Sequence, residues 1–253
     1  MIALTRQPSA SLAAGERTHR VREPIDVCLA ARQHEEYRRA LAECGARVTT
    51  LPALDDLPDA VFIEDVALVL DEVAVLFRMG VESRREEPSR TASEISRWRE
   101  VVTLPEGARA EGGDMVRLGR TLYVGRTGRT DDRGIAALGA VATPLGYRVV
   151  PIDVVGCLHL KSACTALDDE TLLANPAWVD TSAFEARRTI AVDAAEPRAG
   201  NAVRVGSFVL IRAGVPRTLE RVAAAGYDTR VVDVGELAKA EGSLTCLSLL
   251  FGE

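Results

Sequence analysis

Apolar and polar positions along the chain fall into one recurring arrangement: a β-rich run, a polar loop, a strand, a short turn, a second strand and a helical segment, followed by another β-rich run. The β-rich runs are "VTTLP" (48–52), "VVTLP" (101–105), "YRVVPID" (147–153), "TIAVD" (189–193) and "TRVVDV" (229–234), recurring roughly every 40 to 55 residues. Between them lie four hairpin signatures, "VALVLDEVAVLF", "MVRLGRTLYVG", "ACTALDDETLLAN" and "AVRVGSFVLIR", each with turn residues between β-favouring stretches. Two helical segments stand out. Residues 24–44 place Ile25, Cys28, Leu29, Tyr37, Leu41 and Cys44 at helical spacing, with Pro24 suited to a first helical position and Gly45 as a stop. "PRTLERVAAAGY" repeats the scheme with Pro216 and Gly226.

Five such units predict a closed ring. The fifth is incomplete at the carboxyl end, because "LTCLSLLF" has no hairpin partner after it, and the opening strand "MIALTR" can supply one. Closure of this kind leaves no open strand edge. No linker or shift in composition interrupts the chain, so residues 1–253 are expected to form a single domain.

Composition narrows the function classes. With 253 residues and 47% hydrophobic content the chain can bury a substantial core, and a soluble globular protein is expected. A net charge of −6 without a basic stripe argues against nucleic acid or an anionic membrane as a partner. No window approaches the ~18 apolar residues of a membrane span, and the opening residues lack a signal peptide's apolar stretch, so a cytoplasmic location is expected. The five cysteines are widely spaced with no CxxC pair, which predicts neither disulfides nor a structural zinc site.

Aligning the units shows what stands where each loop enters the next strand: "FIED" (Glu64, Asp65), "EGGD" (Glu111, Asp114), "LHLK" (His159, Lys161), "GNAV" (Asn201) and "LTCL" (Cys246). Taken singly, Cys246 reads more naturally as a buried structural thiol and His159 as a core histidine. In a radial repeat, however, equivalent positions converge on the axis, assembling a cysteine, a histidine and carboxylates as in a nucleophilic enzyme. His19, in a polar loop, and His34, on a charged helix face, have no such register, and Cys28 and Cys44 are assigned to the apolar face of the first helix.

The motifs "LPDAVFIED", "ESRREE", "EGGD", "YVGRTGRTDDRG", "LHLKSACTAL" and "GSLTCLSLLF", in that order, resemble those of the dimethylarginine dimethylaminohydrolases of the guanidino-group-modifying (pentein) superfamily. The resemblance implies an α/β fold, a five-bladed α/β propeller of ββαβ repeats with pseudo-fivefold symmetry, in agreement with the repeat count. It implies a cysteine-dependent amidine hydrolase that converts Nω-methylated arginine to citrulline and methylamines through a covalent thiouronium, without cofactor or metal. It makes Cys246 the nucleophile, His159 the general acid and base, and Glu111 the carboxylate paired with His159 and with the substrate guanidinium. Asp65, with Glu64 beside it, would hold that guanidinium, and Phe62 would pack near the side chain. Arg84 and Arg129 would clamp the α-carboxylate, and Asp59 would take the α-amino group. The partner implied is a small guanidino amino acid, and a homodimer is common in the family.

Residues 7–22 are expected to form a lid over the site. There Glu16 follows Gly15 where family members often have leucine, which opens the preference at either end of the substrate. Ala240 and Ser243 replace an expected larger aliphatic residue and a glycine near the nucleophile. Hydrolysis or deimination of arginine or hydroxyarginine, and amidino transfer, are the neighbouring activities. A non-catalytic binding propeller is the least favoured alternative, because the full set Cys246, His159, Glu111 and Asp65 is present.

Overall fold

The computed structural model describes residues 1–253. In chain order, β1 (Ile2–Arg6) leads through α1 (Val27–Glu43) to β2 (Arg47–Leu51). The next unit is β3 (Ala67–Val69), β4 (Val73–Leu76), α2 (Ser89–Ile95) and β5 (Glu100–Thr103); the third is β6 (Met115–Leu118), β7 (Thr121–Arg126), α3 (Asp132–Ala142) and β8 (Arg148–Asp153). Then α4 (Leu160–Ala163) precedes β9 (Cys164–Ala166), β10 (Thr171–Ala174) and β11 (Arg188–Ala191). The last elements are β12 (Ala202–Val205), β13 (Phe208–Arg212), α5 (Pro216–Ala224), β14 (Asp228–Val232), α6 (Gly235–Lys239) and β15 (Leu249–Phe251).

These strands form five three-stranded sheets, each with one antiparallel and one parallel pairing around its middle strand. The expected closure is present: β1 pairs antiparallel with β15 (Leu4 opposite Leu249) and parallel with β2 (Leu4 opposite Thr49). All five β-rich runs of the sequence are the third, parallel strands. Their exposed positions place them at the rim, whereas β1, β4 and β10 are buried throughout, which is why these middle strands are mostly apolar and β4 (VAVL) wholly so. Core residues from neighbouring sheets fill the wedges between blades. Leu122, Val124, Ile135 and Leu138 of the third unit meet Val73 and Val75 of the second.

Four local expectations are corrected. The first helix begins at Val27, because the Asp26 carboxylate accepts the Leu29 N–H at 2.9 Å and caps the helix two residues after Pro24. Cys28 is exposed on that helix rather than on its apolar face, and Cys44 is half-buried. His34 is buried, not on a charged face, and burial pushes its imidazole down to about 3, aided by Arg38, so it is neutral. The fourth unit has only a short turn at Thr181–Ala183 in place of a helix between β10 and β11. Aromatic packing occupies that side of the blade, Phe184 lying 4.5 Å from the Tyr123 ring.

Leu4 is wholly buried beneath the turn that carries Glu64 and Asp65, touching the cluster of Ile63, Val66 and Ala67. Leu4→Ala is expected to lower the unfolding free energy by about 2–5 kcal/mol, read as a shifted urea midpoint with unchanged slope.

Candidate active site

Short helical turns lead into four of the five innermost strands, and the chemistry-bearing side chains sit on them. Glu64 and Asp65 lie in the turn Ile63–Val66, Glu111 immediately precedes Gly112–Asp114, His159 immediately precedes α4, and Cys246 lies in Thr245–Leu247. Sequence separation of 181 residues between Asp65 and Cys246 therefore becomes proximity at the mouth of the ring. A cleft of about 20 Å³ is lined by Cys246, His159, Asp65, Arg84, Arg129, Asp59, Phe62 and Glu16, together with Leu158 and residues 240–242.

Its centre is a buried ion network. His159 Nε2 and Glu111 Oε2 are 2.9 Å apart, and Glu111 has no exposed surface. The Glu111 carboxylate also accepts the Gly80 N–H at 3.0 Å and both its oxygens lie 3.3 Å from Arg129 Nη1. Asp65 accepts Arg84 Nη1 at 2.8 Å and the Gly113 N–H at 3.1 Å. Gly113 is a close-approach residue: a Cβ there would stand 2.6 Å from His159 Nδ1. Asp114 then fixes the histidine's backbone, its carboxylate accepting the Leu160 N–H at 2.9 Å.

The surroundings set the protonation states. Burial alone would push the His159 imidazole down, but Asp65, Asp114 and the Glu111 hydrogen bond raise it to about 9. Against its own burial, Glu111 is held well below the usual carboxylate range by His159, Arg84 and Arg129. Burial pushes the Cys246 thiol up, and Asp65 and Glu64 push it further, while a backbone hydrogen bond from Ser243 and the charge of Lys161 oppose them weakly. These directions favour a thiol at Cys246, an imidazolium at His159 and an ionised Glu111. Cys246 itself is partly buried and lines the cleft, so it is packed without being sealed.

Ten residues were singled out from the sequence, and nine line this cleft or, for Glu111, form its buried wall. Glu64 does not: it faces a separate cavity of about 260 Å³ inside the ring, where Lys161 Nζ lies 2.6 Å from one carboxylate oxygen and the other is buried without a partner. Arg84 and Arg129 line the cleft, but their guanidinium groups are engaged with acids. Arg84 holds Glu87 in a two-pronged contact as well as Asp65, and Arg129 holds Glu111 and Thr18. Asp59 accepts the Glu16 N–H at 2.8 Å, and the Glu16 carboxylate accepts the Ser83 hydroxyl, so Glu16 belongs to the Asp59 and Arg84 end of the cleft.

Two positioning residues were passed over. Asn201 donates to Lys161 O and to Thr245 Oγ1, each at 2.9 Å, and accepts the Thr245 N–H at 3.1 Å, fixing the turn that carries Cys246. Glu87 anchors Arg84. Asn201 carried a signal, since it occupies the fourth of the five equivalent places in the repeat; Glu87, in "ESRREE", carried none beyond charge. Asp65, Glu111 and His159 also bring ligand atoms within 4.8 Å of one another. A cation there would compete with Arg84 and Arg129 for the same carboxylates.

No family model matches the chain. It is 39% identical over 252 residues to the N(G),N(G)-dimethylarginine dimethylaminohydrolase of Streptomyces coelicolor, covering 99% of this chain and 97% of that protein. To the enzyme of the same name from Pseudomonas aeruginosa it is 32% identical over 250 residues, covering 98% of each. A solved structure of the Pseudomonas aeruginosa protein, a cysteine-to-serine mutant complexed with citrulline, superposes with a TM-score of 0.92 at 31% identity over 98% of both chains. The substrate-bound amino-terminal domain of the cyanobacterial arginine dihydrolase ArgZ shares the fold, with a TM-score of 0.85 at 23% identity over 98% of this chain and 97% of that one.

Histidine-labelled NMR is expected to show His159 titrating near 9, and Glu111→Gln is expected to lower that value. Since the imidazole is raised above its unfolded value of about 6.5, its contribution to stability is complete below that pH and is lost as pH rises through about 9. A His159 value at or below 6.5 in the native protein would contradict the electrostatic account.

Proposed function

Because the chain belongs to the dimethylarginine dimethylaminohydrolase family, we propose that it hydrolyses Nω-methylated arginine to citrulline and the corresponding methylamine, with Cys246 as nucleophile. One observation carries this reading: Cys246, the His159–Glu111 pair and Asp65 share a single small cleft. A guanidinium is a stabilised cation and a poor electrophile, so it must be held by carboxylates while a strong nucleophile reaches its central carbon. A thiolate is the strongest nucleophile available among these side chains.

Asp65 takes the guanidinium, and Glu111 faces it from the other side of the imidazole. As the cation docks it offsets the fields of Asp65 and Glu64 on Cys246, and the thiol releases its proton to water. The sulfur then adds to the guanidino carbon. His159, already protonated, gives its proton to the departing nitrogen, the C–N bond breaks and the amine leaves. A thiouronium remains on Cys246. The now neutral imidazole takes a proton from water, the oxygen bonds to the same carbon, the C–S bond breaks and citrulline is released. Glu111 orients the ring and stabilises its charged form at each turn.

At the amino-acid end, Asp59 receives the α-amino group and Arg84 and Arg129 turn part of their donor sets to the α-carboxylate, with Phe62 along the chain. Residues 7–22 act as the lid. A cleft of about 20 Å³ admits little more than one water, so the lid opens for entry. Glu16 adds a second carboxylate beside Asp59 and favours a substrate with a free α-amino group.

Incubation with dimethylarginine, monomethylarginine, hydroxyarginine and arginine is expected to yield citrulline fastest from the methylated pair, with methylamines as co-products and no activity in Cys246→Ser. Citrulline from arginine alone would keep the reaction class and remove the methyl preference; none from any substrate would end the hydrolase reading. Glu16→Leu is expected to raise KM severalfold with kcat little changed, because the lost contact is made equally in the ground and transition states.

A further inference from the structure

Beside the catalytic cleft lies a second cavity, of about 120 Å³, lined by His19 and Arg20 of the 7–22 loop, Cys157, Trp178, Arg198 and Arg212 among others. Its three arginines come from far-separated segments: the loop after β1, the turn before β12 and the end of β13. None is in an ion pair with a carboxylate. Arg20 spends one Nη1 hydrogen on the Ala238 carbonyl at 2.8 Å, and neither Arg198 nor Arg212 has a side-chain hydrogen bond. The contrast within the molecule is clear. At the cleft of Arg78, Arg109 and Arg133, Asp131 takes Arg109 at 3.0 Å.

Convergence of bare guanidinium groups costs free energy. Burial lowers Arg20, and Arg198 and Arg212 lower it further, outweighing Glu23 and Glu241. Arg212 is lowered by burial and then by Arg198, with only Asp233 opposing. One carboxylate lines the cavity, that of Glu241, and its two oxygens are already taken by the N–H groups of Thr18 and His19. Three cations against that single anion leave an excess of two positive charges, which matches a dianion. The planar forks of arginine suit tetrahedral phosphoryl oxygens, which accept paired N–H donors. At 120 Å³ the space holds several waters, at roughly 10–15 Å³ each, and hence a group the size of phosphate.

We propose that Arg20, Arg198 and Arg212 form a binding site for a phosphate dianion, free or as the head of a small phosphomonoester, adjoining but distinct from the catalytic cleft. The site has a built-in connection to catalysis. Its walls are the loop that carries Arg20, the segment 156–158 leading to His159, and residues 241–243 leading to Cys246. An anion bridging Arg20 to Arg198 and Arg212 ties the 7–22 loop to the body of the ring. It therefore favours the closed arrangement by its differential affinity for it. Glu241 already does part of this work from a left-handed backbone conformation (φ 63°), gripping the loop at Thr18 and His19.

The test needs no turnover, so it stands apart from the hydrolase reading. Inorganic phosphate is titrated into the full-length protein at fixed ionic strength by calorimetry, with Trp178 fluorescence as a second signal. One saturable site is expected, weakened at least about tenfold, or about 1.4 kcal/mol, in the Arg198→Ala/Arg212→Ala double variant and measurably in Arg198→Ala, whose side chain is exposed. Phosphate is also expected to slow tryptic cleavage at Arg17, Arg20 and Arg22 severalfold in the wild type and not in the double variant. A small phosphomonoester run in parallel identifies the source: displacement of phosphate supports a metabolite head group, and its exclusion supports the free ion. A linear response, an equal response to chloride, or unchanged affinity in the folded variants overturns the proposal.

Discussion

The structure is organised by the need to keep charged groups dry and close together at the mouth of the ring. Asp65, Arg84, Glu111, Arg129 and His159 are each at most 5% exposed. Removing isolated charges from water costs several kcal/mol each even after relaxation, so such a set persists only where every member is paired. Here the pairing is reciprocal: Arg84 answers Asp65 and Glu87, Arg129 answers Glu111, and the imidazolium of His159 answers Glu111. Backbone N–H groups of Gly80 and Gly113 take remaining carboxylate oxygens. The turns that supply these donors are held against one another by the converging innermost strands, which links the electrostatics of the site to the closure of the ring.

That closure explains where Cys246, the proposed nucleophile, sits in the chain. Cys246 precedes β15, a three-residue strand that would be an unsupported edge without β1 alongside it. The first and last segments of the chain thus complete one blade, and Asn201 fastens the Cys246 turn to the blade before it. Leu4 and Ile2 of β1 belong to the same cluster as Ile63 and Val66 below the acid turn. The Asp65 turn and the strand that follows Cys246 therefore share apolar packing, through Leu249 and Phe251, although 181 residues separate Asp65 from Cys246.

Much of this was legible in the sequence because it is periodic. The third strands, the hairpins and the closing role of "MIALTR" follow from spacing that any one unit reports ambiguously and five report together. What the sequence left hidden is set by single contacts. Asp26 outcompetes Pro24 for the start of α1 because a capping carboxylate satisfies an N–H that proline merely lacks. His34 looked solvent-facing among charges but is covered by tertiary packing, and the fourth blade exchanged its helix for aromatic side chains. Within the site, residue types and register located the acids, the imidazole and the thiol, but not the direction in which each side chain turns. Glu64 and Asp65 are neighbours in sequence and point into different cavities.

The direction of the thiol's pKa shift resolves an apparent conflict in the design of such a site. Carboxylates are required to hold a guanidinium, yet the same carboxylates oppose formation of a thiolate beside them. In the proposed reaction a raised thiol leaves Cys246 unreactive toward electrophiles that carry no positive charge, because nothing offsets Asp65 when they approach. A guanidinium offsets it on arrival. In the proposed reaction recognition and activation then become one event: the charge that binds the substrate is the charge that releases the proton from sulfur. The raised His159 fits the same proposed reaction, in which an imidazolium protonates the departing nitrogen as soon as the sulfur has attacked. Under that proposal acid and nucleophile are held at rest in the states that demand a cationic substrate to connect them.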